Sequence, residues 1–366
     1  MFSAKKHAIT LIVCGSRPSP FLKAVDDTNY AVNYIFNNSG DFSIDHPDPS
    51  KRLSYHLELF YLLEKKVQEY KPLSDILKVL AGTFDSYNPF KLPPVINMLG
   101  RYASHFENRT DQHLFYTQLV SMFHLNQRVI YPLFKNVPLI TVDDVKTRVP
   151  LRQYLLEIEN QVRIRSVEGA SVKGNEAGSP RQQSSYDGIK ITPTNLLEAR
   201  LLESIRETLE SSAGVVIIPT DLVSAYLIFS CPEFRKLLKG FDKKVTILSP
   251  TWVGNEITPV ERQVLECIGA PTRWGSFMTT IGDLVSTLIV PKDEPAENLL
   301  SLRTAGKYSI VAEDLSPANQ SSEQFFQAVL KTIAIDRESL RIDTLKETVD
   351  LSEKIASSLR RYQKIF

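Results

Sequence analysis

The chain has 366 residues, of which 43% are hydrophobic, 23% charged and 9% aromatic; 43 Lys+Arg against 42 Asp+Glu give a formal net charge of +1. That balance is ordinary for a globular protein and excludes a disordered chain, a collagen-like repeat and a disulfide-dense mini-protein. It leaves no global basic field, so neither nucleic acid nor a membrane surface is an expected partner. The first element is Ala8–Cys14, a nearly continuous, β-branched apolar run that reads as a strand buried on both faces, as in parallel sheets. Gly15-Ser-Arg-Pro-Ser-Pro20 breaks it. Val32–Phe36 is a second strand, ended by the turn cluster Asn37-Asn-Ser-Gly-Asp41. Leu53–Tyr70 has helical spacing, with Leu57, Phe60, Leu63 and Val67 on one face; Ser74–Leu80 and Asp111–Leu125 also read as helices. A helical layer over residues 53–125 is therefore expected. Val129–Tyr131 and Pro138–Val142 return to strand character, and the polar stretch 170–188 reads as an exposed loop.

The second half alternates more cleanly. Thr194 is placed to cap a helix over Asn195–Glu210. Gly214–Ile218 reads as a buried strand, Pro232–Leu238 as a helix, Val245–Leu248 as a strand, Pro259–Ile268 as a helix and Leu284–Val290 as a strand. Strands alternating with helices predict βαβ units: one α/β domain over residues 1–366, a Rossmann-like, mainly parallel sheet with the helical layer appended. Right-handed crossovers would place the turns after Cys14, Ile218 and Leu248 along one carboxyl edge, where doubly wound sheets bind ligands. Glu338–Phe366 reads as a long helix with Leu340, Leu345, Val349, Ile355 and Leu359 near one stripe. It would dock either on the chain's own sheet or on a second subunit as a homodimer contact.

The three cysteines, Cys14, Cys231 and Cys267, form no C-x-x-C pair, which argues against a disulfide framework or a cysteine zinc site and for a reducing compartment. Ala8–Cys14 is too short for a secretory h-region, and no stretch approaches the ~18 apolar residues of a membrane span. A cytoplasmic protein is expected.

The chemistry-bearing positions cluster at the turns. Gly15-Ser16 follows the first strand, but with one glycine and two nearby prolines it is neither G-x-G-x-x-G nor a P-loop; it reads as a plain connection or as a reduced phosphate turn. Asp41, with Asp45 and Asp48 close behind, could hold a divalent cation through carboxylate oxygens, or could belong to a solvated Asx-rich turn. Ser224, Ser249 and Gly254 follow the two best strands, where small residues either admit a phosphate to the backbone amides or cap and pack helices. The six histidines, all between His7 and His124, read as core or surface residues rather than metal ligands, and no G-x-S-x-G or H-E-x-x-H motif is present.

Taken in order, these turns resemble the 2-phospho-L-lactate transferase (CofD-like) family. Val245-Thr-Ile-Leu-Ser-Pro-Thr-Trp-Val-Gly254, Leu265-Glu-Cys-Ile-Gly-Ala270 and Asp283–Asp293 are similar to its strand, Ser-Pro turn, helix and second strand. Ile217-Ile-Pro-Thr-Asp-Leu-Val-Ser224 is similar to its Gly-Pro-Ser-Asn turn, and Pro150–Leu155 with Val162–Gly169 to its Pro-Phe-x-x-Tyr-Phe stretch. Asn38-Ser-Gly-Asp41 and Pro47-Asp48 match most of its acidic turn. Phe42 stands where that turn has a second Asp, Ser50 stands near the next, and Leu133-Phe-Lys-Asn-Val replaces a Met-Ser-Asp-Asp-like segment.

The resemblance implies a Mg²⁺-dependent transferase. It would join a phospholactyl or enolpyruvyl group, carried on guanosine diphosphate, to a deazaflavin alcohol, releasing GMP in deazaflavin coenzyme biosynthesis. It implies Asp41 as the metal or acceptor contact and Asp48 as a second catalytic carboxylate. Gly15, Ser16, Asn38, Gly40, Ser224, Ser249 and Gly254 would contact the substrates. It also implies a dimer. The alternative is a non-catalytic nucleotide or sugar-nucleotide binder on the same fold.

Overall fold

The computed structural model describes residues 8–15, 32–37, 40–69, 75, 79, 87–106, 128–130, 139–142, 145–157, 189–191, 199–241, 245–249, 257–313, 327 and 329–331. The expected helix over Asp111–Leu125, the loop 170–188 and the helix over Glu338–Phe366 lie outside the described residues.

Among these residues, seven strands form one parallel sheet: β1 (Ala8–Cys14), β2 (Val32–Phe36), β5 (Arg128–Ile130), β9 (Ser212–Pro219), β10 (Val245–Leu248), β11 (Thr287–Pro291) and β12 (Ser309–Glu313). Their order is β12-β11-β10-β9-β1-β2-β5. β1 pairs in parallel with β2 (Leu11 opposite Tyr34) and with β9 (Leu11 opposite Val216). The chain thus winds outward from β1 through β2 and β5, then returns to the other side of β1 and winds through β9 to β12. The direction reverses between β1 and β9, and the crevice outside their carboxyl ends is the sheet's topological switch point. This is the α/β, Rossmann-like architecture that the alternation of strand and helix predicts.

Parallel strands bury both faces, and the side chains sort by parity. On one face lie Ile9, Leu11 and Val13 of β1, Tyr34 and Phe36 of β2 and Val216 and Ile218 of β9. They pack against α1 (Leu57–Glu69) and α2 (Pro94–Ser104), through Leu59, Phe60, Leu63, Ile96 and Leu99. On the other face lie Ile12, Cys14, Val215, Ile217, Ile247 and Leu288. They are covered by α3 (Ala199–Ser211), α4 (Leu222–Phe229), α5 (Pro232–Lys239), α6 (Pro259–Cys267) and α7 (Trp274–Ile281), with α8 (Ala296–Ala305) packing on α7.

Several boundaries depart from the sequence reading. The layer expected to be helical from residue 53 opens with a hairpin, β3 (Asp41–Ile44) against β4 (Leu53–His56), with Phe42 opposite Tyr55 and Asp41 opposite His56. Leu53-Ser-Tyr-His56 alternates apolar and polar, and long-range pairing with β3 overrides the helical spacing that starts only at Leu57. β6 (Leu139–Val142), β7 (Val145–Pro150) and β8 (Ile189–Ile191) form a separate antiparallel sheet. The last strand of the Leu284–Val290 run starts at Thr287, because Leu284 closes a turn onto the Ile281 carbonyl at 2.9 Å. Helix α4, between Asp221 and Ser230, was not expected at all. It is apolar nearly all round, with seven of its eight residues buried, so it shows no amphipathic period.

Helix α6 has a reciprocal cap. The Thr258 hydroxyl oxygen accepts from the Glu261 amide at 3.2 Å, and the Glu261 carboxylate accepts from the Thr258 amide at 2.8 Å. Thr258→Ala removes one half and exposes the other. It should lower the unfolding free energy by about 1 kcal/mol, read from the midpoint of a urea titration at unchanged slope.

Candidate functional site

The switch point is built from three chain turns. β1 ends at Cys14 and turns through Gly15, whose φ of 115° is a conformation that favours glycine. A Cβ there would overlap the Thr220 hydroxyl and the Asp221 carboxylate, so the β1 turn lies directly beneath the turn that follows β9. The two are also joined by backbone, since the Thr220 amide donates to the Cys14 carbonyl at 2.8 Å. Asp221 then caps α4, accepting from the Ser224 amide at 2.7 Å. β2 ends at Phe36, and Asn37 opens the third turn.

A carboxylate ties these turns together. Glu58, in the first turn of α1, is 4% exposed, and its Oε1 accepts from the Gly15 amide at 2.9 Å while Oε2 accepts from the Asn37 amide at 3.2 Å. Burial pushes its carboxyl well above the ordinary 4.5, and the nearby Asp221 and Asp41 carboxylates push it further, against the pull of the two amides. The neighbouring Cys14 thiol is raised by burial and then by Glu58 and Asp221, which leaves it a poor nucleophile.

Asp41 heads β3 beside this cluster. Its Oδ2 lies 3.1 Å from His56 Nδ1 across the hairpin, and His56 Nε2 lies 3.2 Å from Ser54 Oγ two residues back on β4. Asp41 and His56 are buried, whereas Ser54 is half-buried. The opposite face of the hairpin is apolar. Phe42 packs on Tyr55 at a tilt of 40° with ring centroids 4.8 Å apart and meets Phe90 edge-on at 5.2 Å, and the Tyr55 hydroxyl donates to Asn97 Oδ1 of α2 at 2.6 Å.

The expected site residues fare differently. Gly15, Gly40, Asp41 and Ser224 come to the carboxyl edge around β1, β2 and β9, and Ser249 ends β10 on the same edge. Ser16, Asn38 and Gly254 lie outside the described residues. The amides that a phosphate would need at Gly15, Ser224 and Ser249 are engaged by Glu58, by Asp221 and, at 2.8 Å, by the Ile289 carbonyl. Two of those acceptors are carboxylates, standing where phosphate oxygens would otherwise accept.

Asp48 does not join Asp41. It lies in the 45–52 connection at the far end of the hairpin, roughly 10 Å of strand away, where it caps a short 3₁₀ turn over Pro49–Lys51. There its Oδ1 accepts from the Ser50 hydroxyl at 2.7 Å and the Ser50 amide at 2.9 Å, which hold its carboxyl below the usual range. Among the described residues no group of three or more His, Cys, Asp or Glu is arranged to hold a metal ion. Asp41, expected as the metal or acceptor contact, and Asp48, expected as a second catalytic carboxylate, thus stand at opposite ends of the hairpin.

Ser54, His56, Glu58 and Asp221 were not singled out from the sequence. The only signal available was the alternation Ser54-Tyr-His56 beside Asp41, and it required knowing that these residues form a hairpin. A groove of about 600 Å³ lies between α3 and α5, lined by Leu202, Leu209, Leu237 and Phe241 with Arg206 and Glu233. Among the described residues no helix is long and apolar enough to cross a membrane. No family model and no curated protein matches this sequence.

Two outcomes test the clamp. Glu58→Ala leaves the Gly15 and Asn37 amides buried without their acceptor and should destabilise the fold by about 1–3 kcal/mol for each, read from urea unfolding. The pH response tests the charge. Because the folded-state carboxyl titrates above its ordinary 4.5, the stability it contributes is complete below that value and is lost as pH rises toward the folded value. Wild type should therefore lose stability from pH 5 to pH 8, and Glu58→Gln, which cannot titrate, should lose less over the same range.

Proposed function

We propose that this protein binds a nucleotide or sugar nucleotide, without catalysing transfer, in the crevice between the carboxyl ends of β1 and β9. The observation that carries this reading is the contact of Gly15 beneath Thr220 and Asp221 at the topological switch point. Switch-point crevices are where doubly wound sheets take such ligands. The acidic lining favours the hydroxyl-bearing part of the ligand. One oxygen of Asp221 caps α4 and the other lies over Gly15, where a ribose or sugar hydroxyl can donate to it. Bare phosphates face the Asp221 and Asp41 side chains on this edge. The free state of Cys14, Cys231 and Cys267 supports a reducing, cytoplasmic setting.

The second reading is the phospholactyl or enolpyruvyl transferase implied by the CofD-like resemblance, with a guanosine-linked donor, a deazaflavin acceptor and Mg²⁺. The observation in its favour is Asp41, buried beside the carboxyl edge in the Asn-Ser-Gly-Asp turn.

Thermal unfolding separates the two. GDP or a uridine diphosphate sugar at a hundredfold excess over Kd should stabilise the protein by about 2.7 kcal/mol without Mg²⁺, and Asp221→Ala should abolish the shift. No shift with any nucleotide would overturn the binder. Incubation with activated donor, deazaflavin alcohol and Mg²⁺ should give no product; product formation would establish the transferase.

A further inference from the structure

We propose that Ser54, His56 and Asp41 form a nucleophile–base–positioning relay that takes the acyl group of a small activated carboxylic ester onto Ser54. The inference is independent of nucleotide binding, because it rests on the hairpin alone.

The proton positions follow from chemistry. An ionised Asp41 can only accept, so His56 Nδ1 must donate across the 3.1 Å gap. A neutral imidazole then carries its lone pair on Nε2, and Ser54 Oγ, 3.2 Å away, must be the donor. The hydroxyl proton thus points at a base whose tautomer is fixed by a carboxylate, the arrangement that activates a serine. Both distances lie within reach for proton transfer.

The backbone builds this arrangement. Asp41 and His56 are direct cross-strand partners, and Ser54, two residues before His56, falls on the same face of β4. The other face locks the hairpin to the core through Phe42, Tyr55 and Phe90. The His56 ring is held edge-on by Phe60, with centroids 5.7 Å apart. The nucleophile is the most exposed of the three, since Asp41 and His56 are both buried and Ser54 is half-buried. The relay is therefore fixed by packing and open at its reacting end.

Ser54 Oγ bonds to the ester carbonyl carbon as its proton passes to His56 Nε2. The bond from that carbon to the leaving oxygen breaks, and His56 returns the proton to the leaving group. Water, giving its proton to His56, then attacks the acyl-serine, releases the carboxylic acid and restores Ser54. Asp41 touches no reacting atom; it positions the imidazole.

The test uses the full chain with p-nitrophenyl acetate. A burst of nitrophenolate is expected, with one acetyl group found by mass spectrometry on the peptide carrying Ser54. Ser54→Ala should abolish burst and label. His56→Gln should slow acylation about 100-fold or more, and Asp41→Asn should slow it without changing the ester concentration at half-maximal rate, both with unaltered circular dichroism. Ser43→Ala, which removes the exposed serine opposite Ser54, should label like wild type. Absence of acetyl-Ser54, label only on Ser43, a lysine or a histidine, or an unchanged rate in folded His56→Gln would each overturn the proposal.

Discussion

Glu58 holds the carboxyl edge of this protein together. Its two oxygens reach the Gly15 and Asn37 amides, so one buried side chain on α1 bridges the ends of adjacent strands β1 and β2. Those amides belong to turns that leave the sheet, where no ladder partner exists, and an unpaired buried amide is costly. The carboxylate supplies both acceptors at once. It also fixes the depth of α1 against the sheet face formed by Leu11, Val13, Tyr34 and Phe36. The price is a fully buried acid beside two others, which raises its affinity for a proton.

From that constraint the rest of the site takes its shape. Once Gly15 is pinned, Thr220 and Asp221 close over it, and α4 begins where Asp221 can cap it. The same helix α1 that carries Glu58 follows directly from β4, so the position of Glu58 also sets the position of His56, two residues earlier. The hairpin therefore has two masters. Its apolar face answers to Phe90 and Asn97, and its polar face brings Asp41, His56 and Ser54 into line.

The carboxyl edge is consequently acidic and internally satisfied. Protein carboxylates occupy the amides at Gly15 and Ser224 that a phosphate-binding turn leaves open. Phe42 and Gly15 are both buried. Phe42 is a core residue packed against the Tyr55 and Phe90 rings, which explains why an aromatic side chain suits that position.

The amino-acid sequence by itself determined the parallel sheet. Ala8–Cys14, Gly214–Ile218 and Val245–Leu248 are short β-branched runs buried on both faces, and their separation by amphipathic helices such as Pro232–Lys239 leaves little other architecture. It also placed the turns after Cys14, Ile218 and Leu248 along one carboxyl edge, while Asp41 and Ser224 prove to lie in strand β3 and helix α4. Local pattern was silent on α4, because a helix buried all round has no period, and it misread Leu53–His56, because pairing with β3 outweighs local spacing. Only the tertiary structure decided which side chains meet. Glu58 reaches Gly15 across 43 residues of chain, and Asp41 reaches His56 across 15, while Asp48, close to Asp41 in sequence, ends at the far tip of the hairpin. Spacing along a chain fixes which face a residue takes; contact between distant segments is set by packing, which no single segment encodes.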